Sequence, residues 1–367
     1  MRKDEETLVA SDLLDGLLRI LSTRSGSDLH LKVGAVPRIR VKGNLAEVVG
    51  VPALTESIMG EIAKGAMSDD LWHTLDRDKQ CDFAYQTNDG SRFRANAFFQ
   101  RGAISMVFRR VASSPATISD LALPEVVSTL ANERRGLILV TGPTGSGKTS
   151  TLAAMIRQIN ENRACHIITI EDPIEIMHSD KRALVNQREI GFDATTFAKA
   201  MKSAMREDPD VILIGEMRDE ETVHAAISAA ETGHLVLSTL HTTNAKETIS
   251  RIVDFFPSHQ HAQVRTSLAG SLRGVICQRL VRVRDANLRP VLEVMVANGR
   301  ISQAILDPVR GGDIPQIIKE GEFYGMRTFE KSLYELVEGG VLDANEALLS
   351  ATSPQDLTVM LQRSGII

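Results

Sequence analysis

The sharpest chemical signal in the chain is Gly142-Pro143-Thr144-Gly145-Ser146-Gly147-Lys148-Thr149. It fits G-x-x-x-x-G-K-[ST] between an apolar run and a helical pattern beginning at Ser150, the context in which that motif cradles phosphate. Its glycines let backbone N–H groups turn inward as an anion nest, and the helix that follows adds about half a positive charge at its N-terminus. On this reading the segment from Gly142 to Ser150 holds a nucleoside triphosphate. Lys148 reaches the β and γ phosphates, and the Thr149 hydroxyl coordinates magnesium.

Three further segments carry groups that could act on such a ligand. In Asp210-Val211-Ile212-Leu213-Ile214-Gly215-Glu216 the place after the apolar run where an aspartate would help hold the metal is Gly215. Glu216 comes next and is positioned to orient and polarise the attacking water. Glu171, Asp172 and Glu175 follow the apolar run 166–170. Strand ends beside a phosphate loop face the nucleotide crevice of open α/β sheets. These acids therefore either share magnesium or water positioning with Glu216 or cap the element that follows. His234 and His241 bracket a third apolar run. An imidazole can donate to a terminal phosphate, which suits His241 to sensing the γ phosphate. No Cys or His lies at metal-ligand spacing from either histidine.

The elements that must position these groups fall into two patterns. Leu13, Leu14, Leu17, Leu18 and Leu21 recur at helical spacing after a possible cap at Ser11. Residues 28–33, 37–42, 81–86, 91–100 and 103–110 are short runs with partial alternation, clearest in Phe93, Ala95, Ala97 and Phe99. With a helical stretch at 55–66, they predict a small α+β domain over residues 1–112. Ser113-Ser114-Pro115 opens a linker, 113–120. Beyond it, the runs 137–141, 166–170, 211–214 and 235–239 are almost continuously apolar and alternate with helical segments at 150–160, 195–206 and 220–230. That pattern predicts an α/β domain over 121–367 with a parallel sheet covered on both faces, mostly helical from Pro257 onward.

Composition excludes several classes. Of 367 residues, 43% are hydrophobic and 24% charged, as in ordinary globular chains. The net charge of −5 and an aromatic content of only 4% argue against nucleic acid as the bulk ligand. Cys81, Cys165 and Cys277 are too scattered for a disulfide scaffold or a zinc ribbon. The opening Met1-Arg2-Lys3-Asp4-Glu5-Glu6 lacks the apolar core of a secretory signal, and no apolar run approaches the roughly 18 residues of a membrane span. A cytoplasmic protein that meets a membrane only through partners is expected.

Taken together, the phosphate loop, the acidic box 169–175, the segment 211–219 ending Gly-Glu-Met-Arg-Asp and the histidine box 231–242 resemble the secretion ATPase superfamily. These are the ring motors of type IV pili and type II secretion. The resemblance runs over residues 27–350 through Ser27-Asp28-Leu29-His30-Leu31, Phe93-Arg94-Ala95-Asn96, 184–189, 206–210 and Gly325-Met326-Arg327-Thr328-Phe329. Within the superfamily it is strongest to the pilus retraction ATPases, since the four-cysteine insertion and longer N-terminal region of extension motors are missing. One stretch departs: 298–306 reads Asn-Gly-Arg-Ile-Ser-Gln-Ala-Ile-Leu where retraction ATPases carry Ala-Ile-Arg-Asn-Leu-Ile.

The resemblance implies a RecA-like ATPase domain with a smaller, PAS-like N-terminal domain. It further implies ATP and Mg2+ as cofactors, a homohexamer, and an inner-membrane platform protein at a pilus base as partner. Arginines of the N-terminal domain would complete the neighbouring subunit's site, with Arg94, Arg109 and Arg110 the candidates by residue type. The alternative is a pilus-assembly or type II secretion-type ATPase, and behind it stands a nucleic-acid translocase on the same core. Residues 265–289 hold six arginines against the single acid Asp285 and would serve a translocase, although a subunit interface or solvated helix is the better account of that charge.

Overall fold

Alternation along residues 28–110 becomes one sheet in the computed structural model, which describes residues 2–285 and 287–367, the side chains of residues 2–11 excepted. The chain divides at Ser113/Ser114 into two compact units. In the first, α1 (Arg2–Thr23) precedes β1 (Asp28–Lys32), β2 (Arg38–Val41) and β3 (Asn44–Glu47). Then come α2 (Glu56–Ala66), α3 (Asp69–Asp78), β4 (Gln80–Gln86), β5 (Arg92–Gln100) and β6 (Ala103–Arg110). The strands form a six-stranded sheet in the order β3-β2-β1-β6-β5-β4, antiparallel throughout.

One face of that sheet is apolar. Leu29, Leu31, Ile39, Phe93, Ala95, Met106 and Phe108 pack against Leu14, Leu17, Leu18 and Leu21 of α1 and Met59 and Ile62 of α2. Thr55 caps α2 by accepting from the Ile58 N–H at 3.2 Å. The helix at the N-terminus starts earlier than expected, so the anticipated cap Ser11 lies within α1, and its side chain is outside the described residues. Two elements were not anticipated. All four residues of β3 are exposed, and α3 buries only Leu75, so neither imprints a periodic apolar signal.

The second unit contains α4 (Glu125–Ala131), β7 (Gly136–Thr141), α5 (Lys148–Asn162), β8 (His166–Glu171), β9 (Leu184–Glu189) and α6 (Phe197–Ala204). It continues with β10 (Val211–Ile214), α7 (Glu220–Glu231), β11 (Leu235–Leu240), α8 (Ala245–Asp254) and α9 (His261–Ser271). The chain ends with β12 (Leu272–Arg282), β13 (Leu288–Val296), α10 (Gly299–Leu306), α11 (Ile314–Glu320), α12 (Phe329–Glu338), α13 (Ala344–Ser350) and α14 (Pro354–Arg363). Its seven strands run in the order β13-β12-β7-β11-β10-β8-β9, and all pairs are parallel except β12–β13.

Both faces of this sheet are buried. Leu137 and Leu139 of β7 enter one core, Ile138 and Val140 the other, which is why the strand reads as an unbroken apolar run. The expectation of a mostly helical segment after Pro257 requires correction, because β12 and β13 form a long antiparallel ribbon within it. Val275, Ile276 and Cys277 of β12 and Val291, Leu292, Val294 and Met295 of β13 are buried. Arg279, Arg282, Arg284 and Arg289 gather toward the turn joining the two strands, so the basic stretch is mainly a ribbon end and no solvated helix.

Candidate active site

The carboxyl ends of β7, β8, β10 and β11 open onto a cleft of about 720 Å³, lined by residues 144–150, Glu171, Asp172, Glu175, His178, Gly215, Glu216, Arg218, Thr239 and His241. A crevice at these strand ends is where open α/β sheets bind ligands. The loop leaves β7 at Gly142, whose φ of +144° only glycine adopts easily. A Cβ there would come within 2.3 Å of the Gln278 carbonyl oxygen, and one on Gly147 within 2.7 Å of Gln278 Nε2. Gly147 is also the N-cap of α5 and offers no side-chain cap, so the first N–H groups of the helix stay available to an anion.

Lys148 Nζ donates to the carbonyl oxygens of Gly142 at 2.8 Å and Pro143 at 3.0 Å, which holds the ammonium over the loop. Burial pushes its pKa down, while Glu216 and Glu175 pull it back up. Glu216 follows β10 and is held on both oxygens. Arg218 Nε donates to Oε2 at 2.8 Å, and His241 Nε2 lies 2.9 Å from Oε1. The Glu216 carboxylate in turn raises the pKa of Arg218.

The turn that carries Glu216 is pinned at both ends. The Gly215 N–H donates to the Ile170 carbonyl at 2.8 Å, and Asp219 caps α7 by accepting from the Thr222 N–H at 2.8 Å. Thr239 Oγ1 on β11 donates to the Gly215 carbonyl at 2.7 Å. A Cβ on Gly215 would meet the Ile170 oxygen at 3.3 Å and Glu171 Cα at 3.4 Å, so an acid there would require the backbone of β8 to give by a few tenths of an ångström.

The acids of the box sit in two different settings. Glu171 is 8% exposed and accepts hydrogen bonds from Thr169 Oγ1 at 2.6 Å and Gln187 Nε2 at 3.2 Å. Burial pushes its carboxyl up, and these two donors pull it partly back. It therefore ties β8 to β9 at the floor of the cleft. Asp172 and Glu175 are exposed on the cleft wall.

His234 requires correction. It precedes β11, at the end of the strand remote from the cleft, where Nδ1 lies 3.0 Å from the Ala229 carbonyl at the end of α7. A six-residue strand of about 20 Å separates it from His241. Its surroundings make it a helix-end partner rather than a participant in the cleft.

Two cleft residues carried no assignment from the sequence. Arg218 sits in the Gly-Glu-Met-Arg-Asp segment, and its spacing of two from Glu216 was the available clue. His178, three residues beyond Glu175, lines the cleft with Nδ1 buried and unpartnered, and burial pushes its pKa down to about 4. Among the described residues no cluster of three or more His, Cys, Asp or Glu side chains could hold a metal alone. The few oxygen donors here, Thr149, Asp172 and Glu175, fit Mg2+, which is held largely through phosphates and water.

In the first unit the three candidate arginines divide between the two faces of the sheet. Arg94 and Arg109 are opposite one another across β5 and β6, and Arg109 is opposite Asp28 of β1, its Nε donating to Oδ1 at 2.8 Å. Burial pushes the Asp28 carboxyl up, but the Ser27 hydroxyl and Arg109 together outweigh it and hold the pKa below its usual range. Arg110 adjoins Arg109, and because successive strand side chains alternate, it emerges on the other face.

A family model described as type II/IV secretion system protein matches residues 16–311. The chain is 40% identical over 343 residues to the type IV pilus retraction ATPase PilT of Pseudomonas aeruginosa, covering 93% of this chain and 98% of that one. It is 38% identical over 350 residues to the type IV pilus ATPase PilU of the same organism, covering 94% and 90% respectively. Among solved structures, the crystal structure of the pilus retraction motor PilT with bound ADP matches with a TM-score of 0.85 at 40% identity, over 94% of this chain and 98% of that one.

Proposed function

The chain belongs to the type II/IV secretion system protein family, and from that membership we propose that it is an ATP-hydrolysing ring motor that powers type IV pilus retraction. The observation that carries the chemistry is Glu216, held between Arg218 and His241 in the cleft that also holds the phosphate loop. A carboxylate fixed on both oxygens can orient a water for in-line attack without first paying the entropy of being ordered. The loop N–H groups and Lys148 hold the phosphates, and His241 is placed to exchange its contact with Glu216 for the terminal phosphate. Mg2+ bound with ATP would neutralise charge on the β and γ oxygens, with Thr149 as its protein ligand.

The partners belong to the same proposal. A homohexamer would let Arg94 and Arg109, which share one exposed face of the N-terminal unit, reach the neighbouring subunit's nucleotide. Among the described residues no helix is long and apolar enough to cross a membrane. Work on the pilus would then be transmitted through an inner-membrane platform protein, with the motor at the cytoplasmic face.

Deleting the gene and counting surface pili tests the direction of work. Excess pili are expected; their absence would instead assign the chain to pilus assembly. The departure of α10 from the usual retraction sequence makes that second outcome worth distinguishing. Nucleic acid is disfavoured by the net charge of −5, and duplex DNA should leave ATPase activity unchanged.

A further inference from the structure

Behind the phosphate loop, on the side away from the cleft strands, lies a buried amide that no motif includes. Gln278 sits on β12 one residue past Cys277, whose partner across the pair is Thr141 at the end of β7. It is 3% exposed. Its Nε2 donates to the Ser146 carbonyl at 2.7 Å, and its Oε1 accepts from Thr151 Oγ1 at 2.7 Å. The two contacts fix the amide's orientation, since the opposite flip would set Oε1 against a carbonyl oxygen.

The consequence lies in the peptide joining Ser146 to Gly147. In a trans peptide the C=O and N–H point in opposite directions. Holding the Ser146 oxygen back toward β12 therefore turns the Gly147 N–H away from Gln278, toward the side where the loop meets the cleft. The bond to Thr151 ties the same amide to the first turn of α5, so loop and helix are set together. The two glycines whose added Cβ would collide with Gln278 mark how closely the loop is seated on it.

We propose that Gln278 is a positioning residue for nucleotide binding: it presets the Gly147 N–H for a nucleotide phosphate by holding the Ser146 carbonyl from behind. This rests on the reading of the loop as the nucleotide site. Without Gln278 the loop must order itself when the ligand arrives, and the cost falls on affinity rather than on the chemical step.

The test measures ADP binding by calorimetry and ATP turnover on the full-length chain and on Gln278→Met, which keeps the volume and removes both hydrogen bonds. A folded variant is expected to bind ADP about tenfold more weakly, because the Ser146 carbonyl and the first turn of α5 lose the buried hydrogen bonds that hold them. Its KM for ATP should rise by a similar factor while kcat stays within about twofold. Thr151→Val should lose about threefold in ADP affinity, and Thr151→Ser, which keeps the hydroxyl, should restore it.

Should Gln278→Met fail to fold, the Thr151 pair carries the test. ADP affinity unchanged in Gln278→Met or in Thr151→Val overturns the positioning role and leaves the motor reading standing. A wild-type chain that binds no ADP overturns the motor reading, and this proposal with it.

Discussion

The two sheets of this molecule put their chemistry in different places. The sheet of the first unit is covered by helices on one face only, and its other face carries a row of charges across four neighbouring strands: Arg40, Asp28, Arg109 and Arg94. The sheet of the second unit is packed on both faces, so its strand interiors hold mostly apolar side chains with a few polar ones such as Gln278 engaged in structural hydrogen bonds, and the groups able to act on a ligand emerge where strands end. A one-sided sheet can use its face as a reactive or docking surface. A two-sided sheet is confined to its carboxyl edge, where the loops provide freedom and helix N-termini provide field.

The largest effect that would break this contrast concerns the charged face. An arginine supplied by a neighbouring subunit is worth roughly 10³ to 10⁵ in rate in other NTPases. Arg94→Ala is accordingly expected to abolish most ATP turnover in assembled rings while ADP binding, measured by calorimetry, stays unchanged. Mixing it with a Glu216→Gln chain should partly restore turnover at mixed interfaces. If no activity returns, the face does not act in trans.

Next comes the strand edge itself. Glu216→Gln should slow steady-state hydrolysis by about 10² to 10⁴, the usual worth of a positioned acid or base, and leave nucleotide affinity intact. Equal turnover in mutant and parent would remove Glu216 from the mechanism.

Stability should follow the same division. Leu139→Ala, within the doubly covered sheet, should cost about 2–5 kcal/mol in denaturant unfolding. Leu45→Ala on the exposed strand β3, where the side chain is 44% accessible, should cost well under 1 kcal/mol.

Acid should separate the two units as well. His178 has a folded pKa of about 4 against an unfolded value of 6.5, so the unfolded chain binds the extra proton first. Its contribution is complete above pH 6.5 and is lost as pH falls toward 4, by about 3 kcal/mol in all. Asp28 is depressed below its ordinary 3.8, and its contribution persists until pH falls below that value. His178→Asn should therefore flatten the acid limb of the second unit's melting curve between pH 6.5 and 4, as read by calorimetry. A similarly small effect belongs to the exposed pair Arg38–Glu47, whose side chains are 50% and 56% accessible: Arg38→Ala should move stability by at most about 1 kcal/mol.

Much of the site was legible because its physics is local. A phosphate loop needs glycines, a lysine and a hydroxyl at consecutive positions between a strand and a helix, and Gly142 to Thr149 supply all of them in order. Doubly covered strands are apolar at most positions, which exposed β7, β8, β10 and β11 as nearly continuous runs. The ribbon β12–β13 escaped notice because arginines interrupt its apolar residues near the turn and break the pattern that a strand would otherwise show. Gln278 left no signal at all, since a single amide in an Arg-rich run has no periodicity or motif. The assignment of His234 erred because two histidines flanking one strand look equivalent in sequence, although the ends of a strand face opposite sides of the domain.

What the sequence by itself determined is the kind of ligand and the order of the layers, for both rest on contacts between residues near one another in the chain. Tertiary structure alone decided which acid is free, which histidine faces the cleft and what stands behind the loop. Those choices depend on residues brought together from distant positions: Glu171 is engaged by Gln187, Glu216 is shared between Arg218 and His241, and the phosphate loop is seated on Gln278 from 132 positions away. Local spacing can show that such groups are present, whereas only the packing of strand against strand sets the few ångströms that divide a structural hydrogen bond from a reactive one.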